Sequence, residues 1–179
     1  MKVIFQSLRI YLVLTLLTGI VYPLAMTGVA QLFFPKQANG SRVIDQNKLV
    51  GSDLLAQKFE NPKYFWPRPS AADFATLPSG ASNKGPTSVD LKKSIDERRK
   101  QFGDDAPVDL LTASASGLDP HISPNAARSQ IARVAAARNM SIEKISALVD
   151  STVEEPEFGF LGEPRVNVLK LNRALDQLR

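Results

Sequence analysis

Residues 10–35 carry no charged side chain, and that run constrains the chain more than any other feature. A helix rises about 1.5 Å per residue, so the roughly 25 residues of 10–34 extend about 37 Å, against the ~30 Å of a bilayer core. The run reads as a transmembrane anchor, with residues 1–9 as a short cytoplasmic tail and residues 35–179 as a separate domain. Tyr11 and the Phe33-Phe34 pair lie near its ends, where aromatic rings favour the membrane interface. Pro23 deletes a helical hydrogen bond to the Gly19 carbonyl, a break that membrane helices tolerate where neighbours compensate. Pro23 is therefore a candidate contact with partner helices. A cleavable signal peptide is the alternative: Lys2 and Arg9 supply a basic start, and Gly28 and Ala30 supply small residues before a cut. The apolar sequence continuing through residues 32–34 favours a retained anchor. Basic residues flank the run on both sides (Lys2 and Arg9, then Lys36, Arg42 and Lys48), so charge alone does not orient it. The short basic tail favours an N-in arrangement with the following domain outside the cytoplasm.

Composition narrows the chemistry. Beyond residue 35 there are 20 basic and 18 acidic groups, a balance unlike the clustered Lys/Arg of a nucleic-acid surface. The absence of Cys excludes a disulfide scaffold, a Cys-ligated zinc, an iron–sulfur cluster and a thiol nucleophile. A single His rules out a His-rich metal site. An apolar share of 44% is that of a folded domain rather than a disordered one.

After the anchor, Pro35, Asn39 and Gly40 break the helix, and Arg42–Asp45 and residues 48–50 flank a Gln46-Asn47 turn as a hairpin. Residues 54–59 are apolar with no clear period and read as a helical turn or two. Residues 60–88 hold five prolines and two glycines and little periodicity. A helix comes next, with Thr87 as N-cap, Leu91, Ile95 and Phe102 on one face, and Gly103 as its stop. The basic run Arg98 to Lys100 reads as a solvated face, with an anion or lipid site as the rival. Residues 108–115 alternate enough to predict a strand. Ser123-Pro124 predicts a cap and first helical position for a helix over 125–138, stopped by Asn139. Ser141 caps a third helix with Ile142, Ile145, Leu148 and Val149 inward. A loop over 154–164 precedes a fourth helix, 167–178, striped by Val168, Leu171, Leu175 and Leu178. The expected fold class is α+β: a single N-terminal transmembrane helix followed by a helix-rich extracytoplasmic domain with a small β component.

Three places invite a chemical reading. Asp119, His121 and Ser123 lie close in sequence, but triad members converge from different elements, and a turn plus a helix cap explains them better. The loop around Ser79, Gly80, Ser82 and Asn83 offers backbone N–H groups and hydroxyls that suit a phosphate, making these four candidate nucleotide contacts, although no Walker or GxGxxG pattern accompanies them. Phe65-Trp66-Pro67-Arg68-Pro69 combines an aromatic pair with an Arg between prolines. Phe65, Trp66 and Arg68 are candidate partner contacts, because Trp and Arg are enriched at interfaces; ordinary core packing of the two rings is the other reading.

Ordered blocks along the chain carry more. They are Gly19-Ile-Val-Tyr-Pro23; Phe34-Pro-Lys-Gln-Ala-Asn-Gly40; Arg68-Pro-Ser-Ala71; Ser79-Gly-Ala-Ser-Asn83 with Gly85-Pro-Thr87; Thr112-Ala-Ser-Ala-Ser-Gly-Leu-Asp119; Ile122-Ser-Pro124; Arg133-Val-Ala135; Ala137-Arg-Asn139; and Arg165-Val-Asn-Val168 with Leu171-Asn172 and Ala174-Leu-Asp176. Together they resemble the C subunits of Kdp potassium-transporting P-type ATPases over nearly the whole length. Two departures are Pro67 and Ala81, where family members commonly show Gly; Ala81 removes backbone freedom from the phosphate-cradle reading. The resemblance implies an accessory subunit of a high-affinity, ATP-driven potassium importer in the bacterial cytoplasmic (inner) membrane. Its implied partners are a catalytic P-type subunit, a channel-like potassium-binding subunit and a further small membrane subunit. It implies no cofactor held by the chain alone, with Mg-bound ATP and potassium used by the complex. The implied role is a catalytic chaperone that stabilises the assembly and raises ATP affinity. A membrane-tethered extracytoplasmic binding protein or enzyme unrelated to transport is the alternative.

Overall fold

The computed structural model describes residues 1–45 and 47–178. The chain divides into two units, Met1–Val50 and Gly51–Arg179.

The first unit is dominated by helix α1, Lys2–Phe33, none of whose residues is buried within the protein. It is not α-helical throughout. Over Leu17–Val21 it widens to a π-turn, and the Tyr22 N–H donates to the Leu17 carbonyl five residues back. The cause is Pro23, which has no N–H and whose ring crowds the carbonyl four residues before it; one wide turn just upstream relieves both. The Thr18 and Thr27 hydroxyls donate to the Leu14 and Pro23 carbonyls at 2.8 Å, so neither is left without a partner in an apolar setting. Phe34 leaves the helix, the short helix α2 (Pro35–Ala38) comes next, and strands β1 (Arg42–Asp45) and β2 (Lys48–Ser52) pair as the expected hairpin. Asn47 takes φ +61° in its turn, while Gln46, the other expected turn residue, lies outside the described residues.

In the second unit the apolar stretch 54–59 is a turn followed by irregular chain rather than a helix; the Ala56 N–H is drawn sideways to the Leu118 carbonyl, 2.9 Å. Helix α3, Val89–Phe102, starts one residue later than predicted, with the Ser88 hydroxyl accepting from the Leu91 N–H and Gly103 at φ +96° as its stop. The predicted strand over 108–115 is instead a single helical turn, α4 (Val108–Leu111). Leu110 and Leu111 are both buried, and adjacent inward side chains suit a turn of helix, not the alternation of a strand. Strand β3 (His121–Ile122) leads through the Ser123 cap into α5 (Pro124–Ser129) and α6 (Ile131–Arg138). These two replace the single helix predicted there: the chain tightens at Gln130, whose N–H donates to the Ala127 carbonyl three residues back, 3.1 Å. Asn139, in the left-handed conformation, ends α6. Ser141 caps α7 (Ile142–Thr152), which buries Ile145 and Val149 but leaves Ile142, at its first position, exposed. Strands β4 (Val153–Glu154) and β5 (Arg165–Asn167) then precede α8 (Val168–Gln177), capped by the Asn167 side chain.

The second sheet is antiparallel in the order β3-β5-β4, with His121 opposite Asn167, Ile122 and Val153 opposite Val166, and Glu154 opposite Arg165. The core lies between this sheet and the helices: Ile122 and Val166 from strands, Val134, Ile145, Val149, Leu171 and Leu175 from helices, plus Leu110 and Phe65. The α8 stripe is as the period predicts, with Val168, Leu171 and Leu175 buried.

Candidate functional site

The Pro-rich segment around Phe65 belongs to no helix or sheet, so its backbone groups need other partners. Two side-chain amides supply them. Asn172, 2% exposed on α8, accepts from the Phe65 N–H at 2.8 Å and donates to the Phe65 carbonyl at 2.9 Å. Gln130, equally buried, does the same for Trp66, accepting at 2.8 Å and donating at 3.1 Å. Each amide takes the place of a neighbouring strand for one residue.

Around this pair the side chains divide. Phe65 is 0% exposed and belongs to the core, so the packing reading holds for this ring. Trp66 is half-buried: the Arg133 guanidinium lies 3.8 Å from its ring, Phe102 meets it edge-on at 5.7 Å, and its indole N–H donates to the Asn61 carbonyl. Arg133 also donates to the carbonyls of Pro62 (2.8 Å) and Tyr64 (3.0 Å) and to Gln130 (2.6 Å). Burial lowers the Arg133 pKa to about 10, which leaves it charged. Arg68 points the other way and pairs with Asp119 at 3.0 Å, its Nε buried with no partner among the described residues. Of the three aromatic-and-Arg candidates, Trp66 and Arg68 therefore retain only partly open surface. Pro23 sits on the uncovered helix α1.

The Asp119–His121–Ser123 group is a structural knot. Asp119 accepts from the His121 N–H at 3.0 Å as well as from Arg68, and the Ser123 hydroxyl caps α5. Burial lowers the His121 pKa, with Arg165 adding to the effect. Burial works against the Glu154 carboxylate, but hydrogen bonds from Lys170 (2.7 Å) and Arg165 (3.2 Å) outweigh it and hold its pKa below normal.

The four candidate nucleotide contacts do not converge. The Ser79 hydroxyl donates to the Ser116 carbonyl, and Gly80 packs so closely on Gly117 that a Cβ there would lie 3.0 Å from the Gly80 oxygen. Gly117 has φ +71°, a second reason for Gly at that position. Asn83, at φ +53°, is exposed. Ser82 lines a cavity of about 440 Å³, shared with Ser70, Lys84, Ser94 and Arg98. Arg98 does not belong to the solvated face that its basic run suggests. It stands seven residues after Leu91 on α3, the same stripe, and donates to the Leu111 carbonyl at 2.7 Å. Its helical spacing was the available signal. Lys84 pairs loosely with Asp90 at 3.7 Å.

By length and composition α1 is fit to cross a membrane, and the second unit is a small α+β body whose polar side chains mostly bind its own backbone. That combination defines an α+β protein with one long apolar N-terminal helix among its described residues. The chain belongs to the KdpC family, whose model, described as K+-transporting ATPase, c chain, matches residues 4–177. It is similar to the potassium-transporting ATPase KdpC subunits of Geobacter sulfurreducens (50% identity, 99% of both chains) and Polaromonas naphthalenivorans (52%, covering 97% and 93%). The Leptospira interrogans subunit is 50% identical, covering 98% of this chain and 94% of its own.

Proposed function

We propose that the chain is the accessory C subunit of a potassium-transporting P-type ATPase, that it stabilises the assembly, and that it raises the ATP affinity of the catalytic subunit. The observation that carries this reading is α1, a 32-residue apolar helix with no residue buried by its own chain. Such a helix requires lipid or partner helices around it, and the π-turn at Leu17–Val21 with Pro23 gives it an irregular surface for helix–helix contact. The partners are the catalytic subunit, a channel-like potassium-binding subunit and a small membrane subunit; Mg-bound ATP and potassium are substrates of the complex, not ligands of this chain. The second unit lies outside the cytoplasm, so the coupling to nucleotide runs through α1 and the partner interface, biasing the complex toward states that bind ATP more tightly.

Co-purification from membranes tests it. The full chain should bring down a large P-type ATPase and a polytopic partner, and deletion of residues 1–35 should abolish that recovery. An intact complex after the deletion would defeat the reading. Direct nucleotide contact at the Ser82 cavity, supported by Lys84 and Arg98, is the competing reading. It predicts ATP photolabelling of this chain that Ser82→Ala and Lys84→Ala diminish.

A further inference from the structure

The second unit exposes its large apolar side chains singly or, at Leu54 and Leu55, as a pair; its largest group along the chain is Phe158 (85% exposed), Phe160 (75%) and Leu161 (52%), which crowd one turn between β4 and β5. The turn is built, not loose. The Glu157 carbonyl accepts from the N–H groups of Phe160 and Leu161, the Leu161 carbonyl accepts from Glu157, and Gly159 donates to the Pro156 carbonyl. Phe158 and Gly159, in the three-residue loop closed by the Glu157–Leu161 bridge, both have positive φ, +54° and +78°, the sign that the two central residues of a type I′ turn take. Gly meets that demand freely; Phe meets it at a cost that Asn or Gly would avoid. The costly residue projects its ring into solvent, so the fold itself gains nothing from it.

We propose that this hairpin is a docking element whose two Phe rings seat in an apolar pocket of another subunit of the ATPase, with Lys or Arg at the pocket's rim. The inference rests on the assembly reading under Proposed function. Charge selects the occupant. Residues 154–164 contain four Glu and no Lys or Arg, and Glu155, Glu157 and Glu163 make no ion pair among the described residues. An anionic bilayer surface repels such a rim. A second copy of the chain would set like charges against each other across a two-fold axis. A protein pocket with a basic border satisfies both the rings and the carboxylates.

The experiment uses the full chain in membranes with its partner subunits. Phe160→p-benzoylphenylalanine, irradiated in place, should form an adduct with another ATPase subunit beside Lys or Arg residues. An adduct with lipid, or with a second copy of this chain, overturns the proposal. Phe158→Asn keeps the turn and removes the ring, so co-purification should fall about tenfold or more while the chain's own melting temperature holds or rises. Undiminished recovery overturns the docking role. If the wild-type chain recovers no ATPase subunit, the assembly reading fails; if wild type and Phe158→Asn recover it equally, only the docking inference fails.

Discussion

Two irregular stretches of the second unit, residues 60–70 and 154–164, both hold prolines and aromatic rings, three in the first and two in the second, yet the first buries Phe65 completely and the second leaves Phe158 85% exposed. The difference lies in where their backbone bonds go. Phe65 and Trp66 are gripped from outside by Asn172 and Gln130, which stand on or between helices and draw the segment into the core. The 157–161 hairpin closes its hydrogen bonds on itself and needs nothing from the core. An irregular segment is drawn inward where distant polar side chains serve its backbone, and aromatic content alone does not decide it.

Truncation breaks this comparison most forcefully. Phe65→Ala should cost about 3–5 kcal/mol through lost burial and a cavity, whereas Phe160→Ala should cost almost nothing. Urea titration of the full chain in detergent, followed by Trp66 fluorescence, measures both; equal losses would erase the distinction. Asn172→Leu comes next, at about 2–4 kcal/mol, since it strands the buried N–H and carbonyl of Phe65. If Asn172→Leu were as stable as the wild type, the side-chain bracket would be incidental to the burial of Phe65.

Local signals were legible in the sequence, and long-range ones were not. Ser123, Ser141, Asn139 and Gly103 mark helix ends through bonds or dihedral needs within a few residues, and they stand where the sequence places them. Ser88 displaced Thr87 as a cap by one residue, a choice between neighbouring hydroxyls. The strands β3, β4 and β5, of two or three residues each, are too short to show a period, and only their mutual pairing defines them. Asn172 and Gln130 bind Phe65 and Trp66 across 107 and 64 residues, a relation that no local pattern encodes. The same holds at the cavity beside Ser82, where helical spacing could have placed Arg98 on the Leu91 face, but nothing nearby in sequence linked that face to the Ser79–Asn83 loop.

Phe158→Asn sharpens the comparison from the other side. Removing a left-handed Phe should stabilise the chain by about 0.5–1 kcal/mol, the reverse of every substitution proposed at Phe65. A destabilisation in the urea titration would mean that the exposed ring is packed in the folded chain after all.

The smallest effect separates the two stretches by pH. His121 stands opposite Asn167 on β5, beside Asp119 at 3.8 Å and Glu154 at 3.9 Å, and Arg165 and Lys170 also act on it. Its folded pKa lies below the ordinary 6.5, chiefly through burial, so between those values the unfolded chain binds the extra proton. The stability it contributes is therefore complete above 6.5 and is lost as pH falls through that value toward the folded one. The Glu154 contribution is kept above its ordinary 4.5 and lost only below it, so the His121 loss begins first as pH falls. Because β4 and β5 are the legs of the hairpin, charging His121 beside Arg165 loosens the hairpin's base while leaving the amide brackets at Phe65 untouched. Hydrogen exchange, corrected for intrinsic rates, should show protection at the Glu157 and Leu161 amides falling between pH 7.5 and 5.5 (about one unit either side of 6.5) more than at Phe65 and Trp66. His121→Gln should flatten that fall, and a parallel loss at both sets of amides would show that acid loosens the unit as a whole rather than at the hairpin's root.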